Sequence, residues 1–226
     1  QFIEDYKKLG YLPEAMLNFL SLLGWSPKAD EEILSQSELI SLFDENRLNA
    51  APSYFDKQKL EYINSRYIKM LSMDQLKELT RPFLTAHGVE IKSEAWLESL
   101  LLILRDRLSY GAQITAYYDQ FFHPEFHLEP SVLEEIKDYD NIKVITEFMK
   151  VIETIDFEDD NQINQAIKDT GKALDIKGKP LFMPIRISTT GEAHGPSLPV
   201  SLKLLGKPLV IKRMNKTLEV LKGETT

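Results

Sequence analysis

The 226-residue sequence contains no cysteine. That excludes disulfides and thiolate metal ligands, and it fits a reducing compartment, so a cytoplasmic location is expected. No apolar run approaches the ~18 residues of a membrane-spanning helix. The first residues do not read as a signal peptide, and no membrane partner is expected. Histidine is scarce, with four in all. His123 and His127 stand four apart, as ligands on one helix face would. Pro124 and Pro130 surround them, however, and no H-E-x-x-H pattern occurs, so no metal site is expected. A P-loop is missing too. The stretch "TTGEAHGPS" from Thr189 lacks the Lys-Ser/Thr pair and a preceding strand. Thr190 and His194 could begin a hydroxyl–imidazole pair in a hydrolase, but no nucleophile elbow surrounds them and no catalytic residue is assigned.

What is present is helical periodicity. In "GYLPEAMLNFLSLLGW", Pro13 suits a first helical turn and Gly24 lies past the end. Asp56 is placed as an N-cap before Leu60, Ile63, Tyr67 and Ile68, which recur at helical spacing. Ser72 and Gln75 form a capping-box pattern, and Pro82 should end or kink the helix that follows. The stretch from Ser93 to Phe122 reads as two helices broken near Ser109 to Gly111. "KGKPLFMPIRI", Lys177 to Ile187, could be a buried extended segment or a bent helix start. A final helix ends at Gly223. With no repeat and no strand-rich region, the expected fold is all-α, with boundaries near residues 71 and 150. The chain opens on Gln and is amphipathic at once, which reads as a piece of a longer protein.

Charge is uneven. There are 27 Lys and Arg against 35 Asp and Glu, a net charge of −8, which argues against a general nucleic-acid coat. From Lys168 onward, 11 basic residues face 5 acidic ones. A basic tail on an acidic body can hold a polyanion at one end. The acidic peak "ETIDFEDDN" (Glu153 to Asn161) could hold a metal or simply be solvated. Arg105 and Arg107 follow an apolar helix, where they either complement its dipole or grip phosphate and base edges. Lys212, Arg213 and Lys216 are expected near one face of the last helix. The i,i+4 repulsion of Lys212 and Lys216 would be offset by a polyanion.

Three stretches, "GYLPEAMLNFLSLLGWSP", "FDKQKLEYINSRYI" and "LFMPIRISTTGEAHGPSLPVSLKLLGKPLVIKRM", resemble in collinear order the C-terminal half of bacterial glutamyl-tRNA synthetases, a class I aminoacyl-tRNA synthetase family. The middle, from Leu71 to about Ile176, is less diagnostic. The resemblance implies a stem-contact helical region over 1–71, then an anticodon-binding helical bundle or cage in two parts, 72–150 and 151–226. It implies tRNA(Glu) and a catalytic domain in cis as partners, in a monomer. It also implies ATP and magnesium for the intact enzyme, with no cofactor in this chain. The family's H-x-G-H and K-x-S-K motifs do not occur here, and Tyr62 stands where the family often has Trp. Carried over by position, Thr190, Gly191, His194 and Pro196 lie near anticodon bases, since unstacked bases are what proteins read in RNA. Lys207, Lys212 and Arg213 become electrostatic contacts. Arg105 or Arg107 reads an anticodon base, and Lys59, Asn64 and Arg66 touch the stem. The other reading is a helical protein-interaction module whose basic end meets an acidic partner.

Overall fold

The computed structural model describes residues 2–28, 31–49, 54–125 and 127–223. Among these it is helical throughout, with one isolated antiparallel bridge, Trp25 to Leu48, and no strand. No helix among them is long and apolar enough to cross a membrane. The chain divides into two compact units, Gln1–Asp119 and Gln120–Thr226.

The first unit holds α1 (Ile3–Lys8), α2 (Pro13–Gly24), α3 (Gln36–Leu42), α4 (Lys57–Met70), α5 (Met73–Ala86), α6 (Glu94–Leu104) and most of α7 (Gln113–Phe122). Local chemistry sets several starts. Pro13 occupies the first turn of α2, where its missing N–H is no loss. Ser35 with Glu38, and Ser72 with Gln75, close reciprocal capping boxes on α3 and α5. Asp56 accepts from the Gln58 and Lys59 amides at the start of α4. Pro82 does not end α5, which runs four residues further to Ala86. Pro82 and Glu78, the residue whose carbonyl loses its amide partner, are both exposed, so that carbonyl is open to hydration.

The core of this unit joins α1, α2 and α4 through Tyr6, Tyr11, Ala15, Met16, Phe19, Leu60, Ile63 and Tyr67. Polar ties cross it. Asn18 Oδ1 accepts the Leu34 amide at 2.9 Å and lies 3.0 Å from the Tyr67 hydroxyl. Residue 71 is not a division of the packing. Tyr11 stacks on Tyr110 with ring centroids 5.0 Å apart, and the Gly111 and Ala112 amides donate to Gly10 O and Leu9 O at 3.1 and 3.0 Å. A Cβ on Gly10 would lie 2.9 Å from the Gly111 Cα, so these two backbones cross where only glycine fits.

The second unit holds α8 (Pro130–Glu134), α9 (Asn141–Ile152), α10 (Asp160–Leu174), α11 (Lys179–Thr190), α12 (Leu198–Leu205) and α13 (Lys207–Lys222). One core unites α9 to α13: Val144, Ile145, Phe148, Ile152, Ile163, Ile167, Ile185, Leu202, Val210 and Met214 are all fully buried. Residue 150 falls inside α9, whose apolar face is part of that core, so it too lies within a packed unit. The segment from Lys177 resolves as a helix start. Gly178 (φ 65°) precedes α11, Pro180 stands in its first turn, and Pro184 is buried inside it. Gly223 (φ 72°) terminates α13.

Candidate nucleic-acid interface

The segment from Ile187 to Pro199 begins as helix. Ser188 and Thr189 are fully buried in the last turn of α11, and their hydroxyls donate back to Ile185 O at 3.1 and 2.7 Å. The half-buried Thr190 does the same, Oγ1 to Arg186 O at 2.9 Å, and its oxygen accepts the Glu192 amide at 3.3 Å. These hydroxyls are engaged with the helix end rather than turned toward a ligand. Gly191 takes the left-handed conformation (φ 73°) that lets the chain leave the helix. The loop to Ser197 then has three anchors: Thr190, Ala193 packed on the cluster of Leu128, Ile136 and Ile187, and a bond from Arg186 Nη2 to Pro196 O at 2.8 Å. His194 and Gly195 are exposed at its tip, and Pro196 is half-buried. Arg186 did not figure among the sequence candidates. Only the loop's return toward α11 puts Pro196 within its reach.

The last helix corrects one expectation outright. Arg213 is 2% exposed and does not share a surface with Lys212 and Lys216, which are exposed. Its Nη1 donates to Thr189 O at 2.7 Å, and its Nη2 to Phe121 O and His123 O at 2.8 and 3.0 Å. These carbonyls close the C-terminal turns of α11 and α7, which have no intrahelical donors of their own. A cation is favoured there by both helix dipoles. Burial pulls the Arg213 guanidinium down from its ordinary value to about 10, so it remains charged at neutral pH. Thr217, one turn on, adds a long bond to Ser188 O at 3.4 Å. The signal was present in the sequence: Arg213 lies in phase with Val210, Met214 and Thr217, the buried face of α13.

Lys207 is likewise engaged. Its Nζ donates to Glu153 O and Ile155 O at 3.1 and 2.8 Å, beyond the end of α9, and sits 5.8 Å over the Phe157 ring. The acidic run preceding α10 resolves into caps. Asp156 accepts the Glu158 amide, Asp159 accepts the Asn161 amide, and Asp160 pairs with Lys203 at 3.3 Å. Among the described residues no three His, Asp or Glu come together as metal ligands. His123 Nδ1 is held by the Glu125 backbone, and His127 faces Glu129 at 3.5 Å.

In the first unit, Arg105 caps a helix other than its own. Its Nη2 donates to Lys69 O at 2.6 Å and to Leu71 O, at the end of α4. Arg107, two residues on in the 3-10 turn Arg105–Arg107, is half-exposed. Asn64 is fully buried, contrary to a stem-contact role: its Oδ1 accepts the Leu12 amide at 2.9 Å and its Nδ2 donates to Ser109 O at 2.5 Å. It too lies in phase with a core stripe, that of Leu60, Ile63, Tyr67 and Ile68. Lys59 pairs with Glu32 at 2.7 Å, while Arg66 and Tyr62 stand exposed on α4.

An all-helical chain carrying a pre-formed glycine loop beside a basic last helix corresponds to a known class. Residues 75–218 match the family model for the anticodon binding domain, and the chain belongs to that family. Residues 1–62 match the model for the catalytic domain of class I tRNA synthetases (E and Q). Glutamate–tRNA ligases are the relatives it resembles. That of Acholeplasma laidlawii is 81% identical over 225 residues, covering 100% of this chain and 50% of the relative. That of Geobacillus stearothermophilus is 42% identical, covering 97% and 46%. A crystal structure of a glutamate tRNA ligase from Elizabethkingia meningosepticum in complex with its amino acid superposes with a TM-score of 0.74 at 28% identity, over 96% of this chain and 43% of that one. The chain thus spans about half the length of the curated relatives it matches. The span that matches them is their anticodon-binding part, with a stretch assigned to the catalytic model ahead of it.

Proposed function

We propose that this chain binds tRNA(Glu) and reads its anticodon, as the RNA-recognising part of a protein that attaches glutamate to that tRNA. The carrying observation is the match of residues 75–218 to an anticodon binding domain, a span that includes the loop and most of α13. The geometry narrows the contacts. Gly191, His194 and Pro196 belong to the loop, and to the exposed His194 we assign stacking on an unpaired base. We assign phosphate contacts to the exposed Lys212 and Lys216 and base reading to the half-exposed Arg107; Arg105, Lys207 and Arg213 donate to backbone carbonyls. Lys59 and Arg66 on α4 are the stem candidates. The chain acts in the cytoplasm, as a monomer, with a catalytic domain in cis.

ATP and magnesium belong to the chemistry of aminoacylation, which this reading assigns to the catalytic domain in cis, and it assigns binding and orientation of the tRNA to the present chain.

The test is a salt-titrated binding assay with tRNA(Glu), the same tRNA with an altered anticodon, and an unrelated tRNA. A preference lost with the anticodon supports the reading, and affinity should fall steeply with salt. Equal, weak binding of all three would refute it and turn attention to a protein partner for the basic end.

A further inference from the structure

The Arg186 guanidinium sits where the exposed tip of the loop returns. It donates to Pro196 O at 2.8 Å, and its Nη1 lies 3.1 Å from where a Cβ on Gly195 would be. The carbonyl of the same residue accepts the hydroxyls of Thr189 and Thr190 at 3.0 and 2.9 Å. One residue therefore ties the helix end that starts the loop and the turn that finishes it. Between these ties Ala193 packs on the small cluster around Ile187, and the Glu192 amide donates to Thr190 Oγ1. Gly195 has no side chain at the point where the guanidinium passes, so the glycine and the arginine occupy the space as a matched pair.

We infer that Arg186 is a positioning residue that pre-forms the 191–197 loop, holding His194 and the neighbouring backbone in the shape that discriminates the bound single-stranded bases. Without this brace the loop samples many conformers, and binding has to order it. Discrimination falls because the wrong bases are then met by a surface that adapts to them. The phosphate contacts on α13, which carry no sequence information, are untouched. This inference rests on the reading of the chain as an anticodon binder, but the state of the loop can be measured without RNA.

The experiment uses the full 226-residue chain with Arg186→Met, and Arg186→Leu as a second variant that lacks the guanidinium donors. The first readout is amide hydrogen exchange in the free protein. The expected result is at least tenfold faster exchange over 191–197 in both variants, with α9 and α13 unchanged. The second is binding to tRNA(Glu) and to its anticodon-altered form. The ratio of affinities should fall about tenfold, while affinity for an unrelated tRNA stays within twofold. Unchanged exchange in both variants would overturn the inference. So would a lost preference in Arg186→Met with a rigid loop, which would make Arg186 a direct RNA contact. If the unsubstituted chain shows no anticodon preference, the functional reading fails, and the exchange data still decide whether Arg186 braces the loop.

Discussion

Replacing Arg213 with Met should destabilise the second unit without weakening its electrostatic hold on RNA. The substitution keeps much of the aliphatic stem and removes three donated hydrogen bonds, to Thr189 O, Phe121 O and His123 O. Thr189 O lies in buried surroundings, while the other two are partly accessible to water, which recovers part of their loss. A buried polar group left without its partner costs about 1–3 kcal/mol. Removing the desolvated guanidinium offsets some of this, since burial of that charge was itself unfavourable. The net expectation is about 3 kcal/mol, which for a unit of roughly a hundred residues is a fall in Tm of about 12 °C. Both tryptophans, Trp25 and Trp96, belong to the first unit. Their fluorescence therefore follows that unit, while far-UV circular dichroism follows all the helices. Urea unfolding should show the dichroism midpoint moving more than the fluorescence midpoint. The reasoning is refuted if Arg213→Met leaves stability within about 0.5 kcal/mol and instead weakens tRNA binding, the behaviour of a surface contact.

Lys212→Ala makes the opposite pattern: stability within about 0.5 kcal/mol, weaker binding of every tRNA, and a salt slope shallower by about one, measured by titration between low and moderate salt. Asn64→Ala should cost about 2 kcal/mol in urea unfolding followed by tryptophan fluorescence, because the Leu12 amide and Ser109 carbonyl lose buried partners. Glu38, Asp44 and Asp159 are held below their ordinary carboxyl values by hydrogen bonds at helix starts: Glu38 by Ser35, Asp44 by Asn46 and Asp159 chiefly by the Asn161 amide. Their stabilisation is fully present above the unfolded values near 4 and is lost as pH falls through the lowered folded values. Urea midpoints measured from pH 6 to pH 2 should decline in that window, and Asp159→Asn should flatten part of the decline.

The helical architecture was legible because periodicity and capping signals agreed. Asp56, Ser72, Pro13 and Gly223 all stand where the sequence places them. Site residues were harder for a specific reason. A cation or amide read as surface-facing is judged by its chemistry, but its direction is set by phase. Arg213 and Asn64 fall on apolar stripes and are buried, whereas Lys212 and Arg66 fall off them and are exposed. Arg105 and Lys207 give no such warning. Their partners are carbonyls 34 to 54 residues away in the chain, at helix ends that only the tertiary fold brings near. Pro82 shows that a proline need not end a helix when the carbonyl it frees is exposed to solvent.

The crossing of Gly10 and Gly111 also constrains how the first unit is made. Its two hydrogen bonds join segments about a hundred residues apart, so they form only after most of that unit has been synthesised. During translation α1 and α2 emerge before that later segment, with Tyr11 lacking the ring it will stack on and Leu9 O and Gly10 O lacking their donors. The nascent unit is then an open half-core with apolar surface uncovered, the condition in which chains are most prone to associate wrongly. Substitutions at this crossing should therefore reduce the yield of folded protein during synthesis more than they reduce the stability of chains that have already closed.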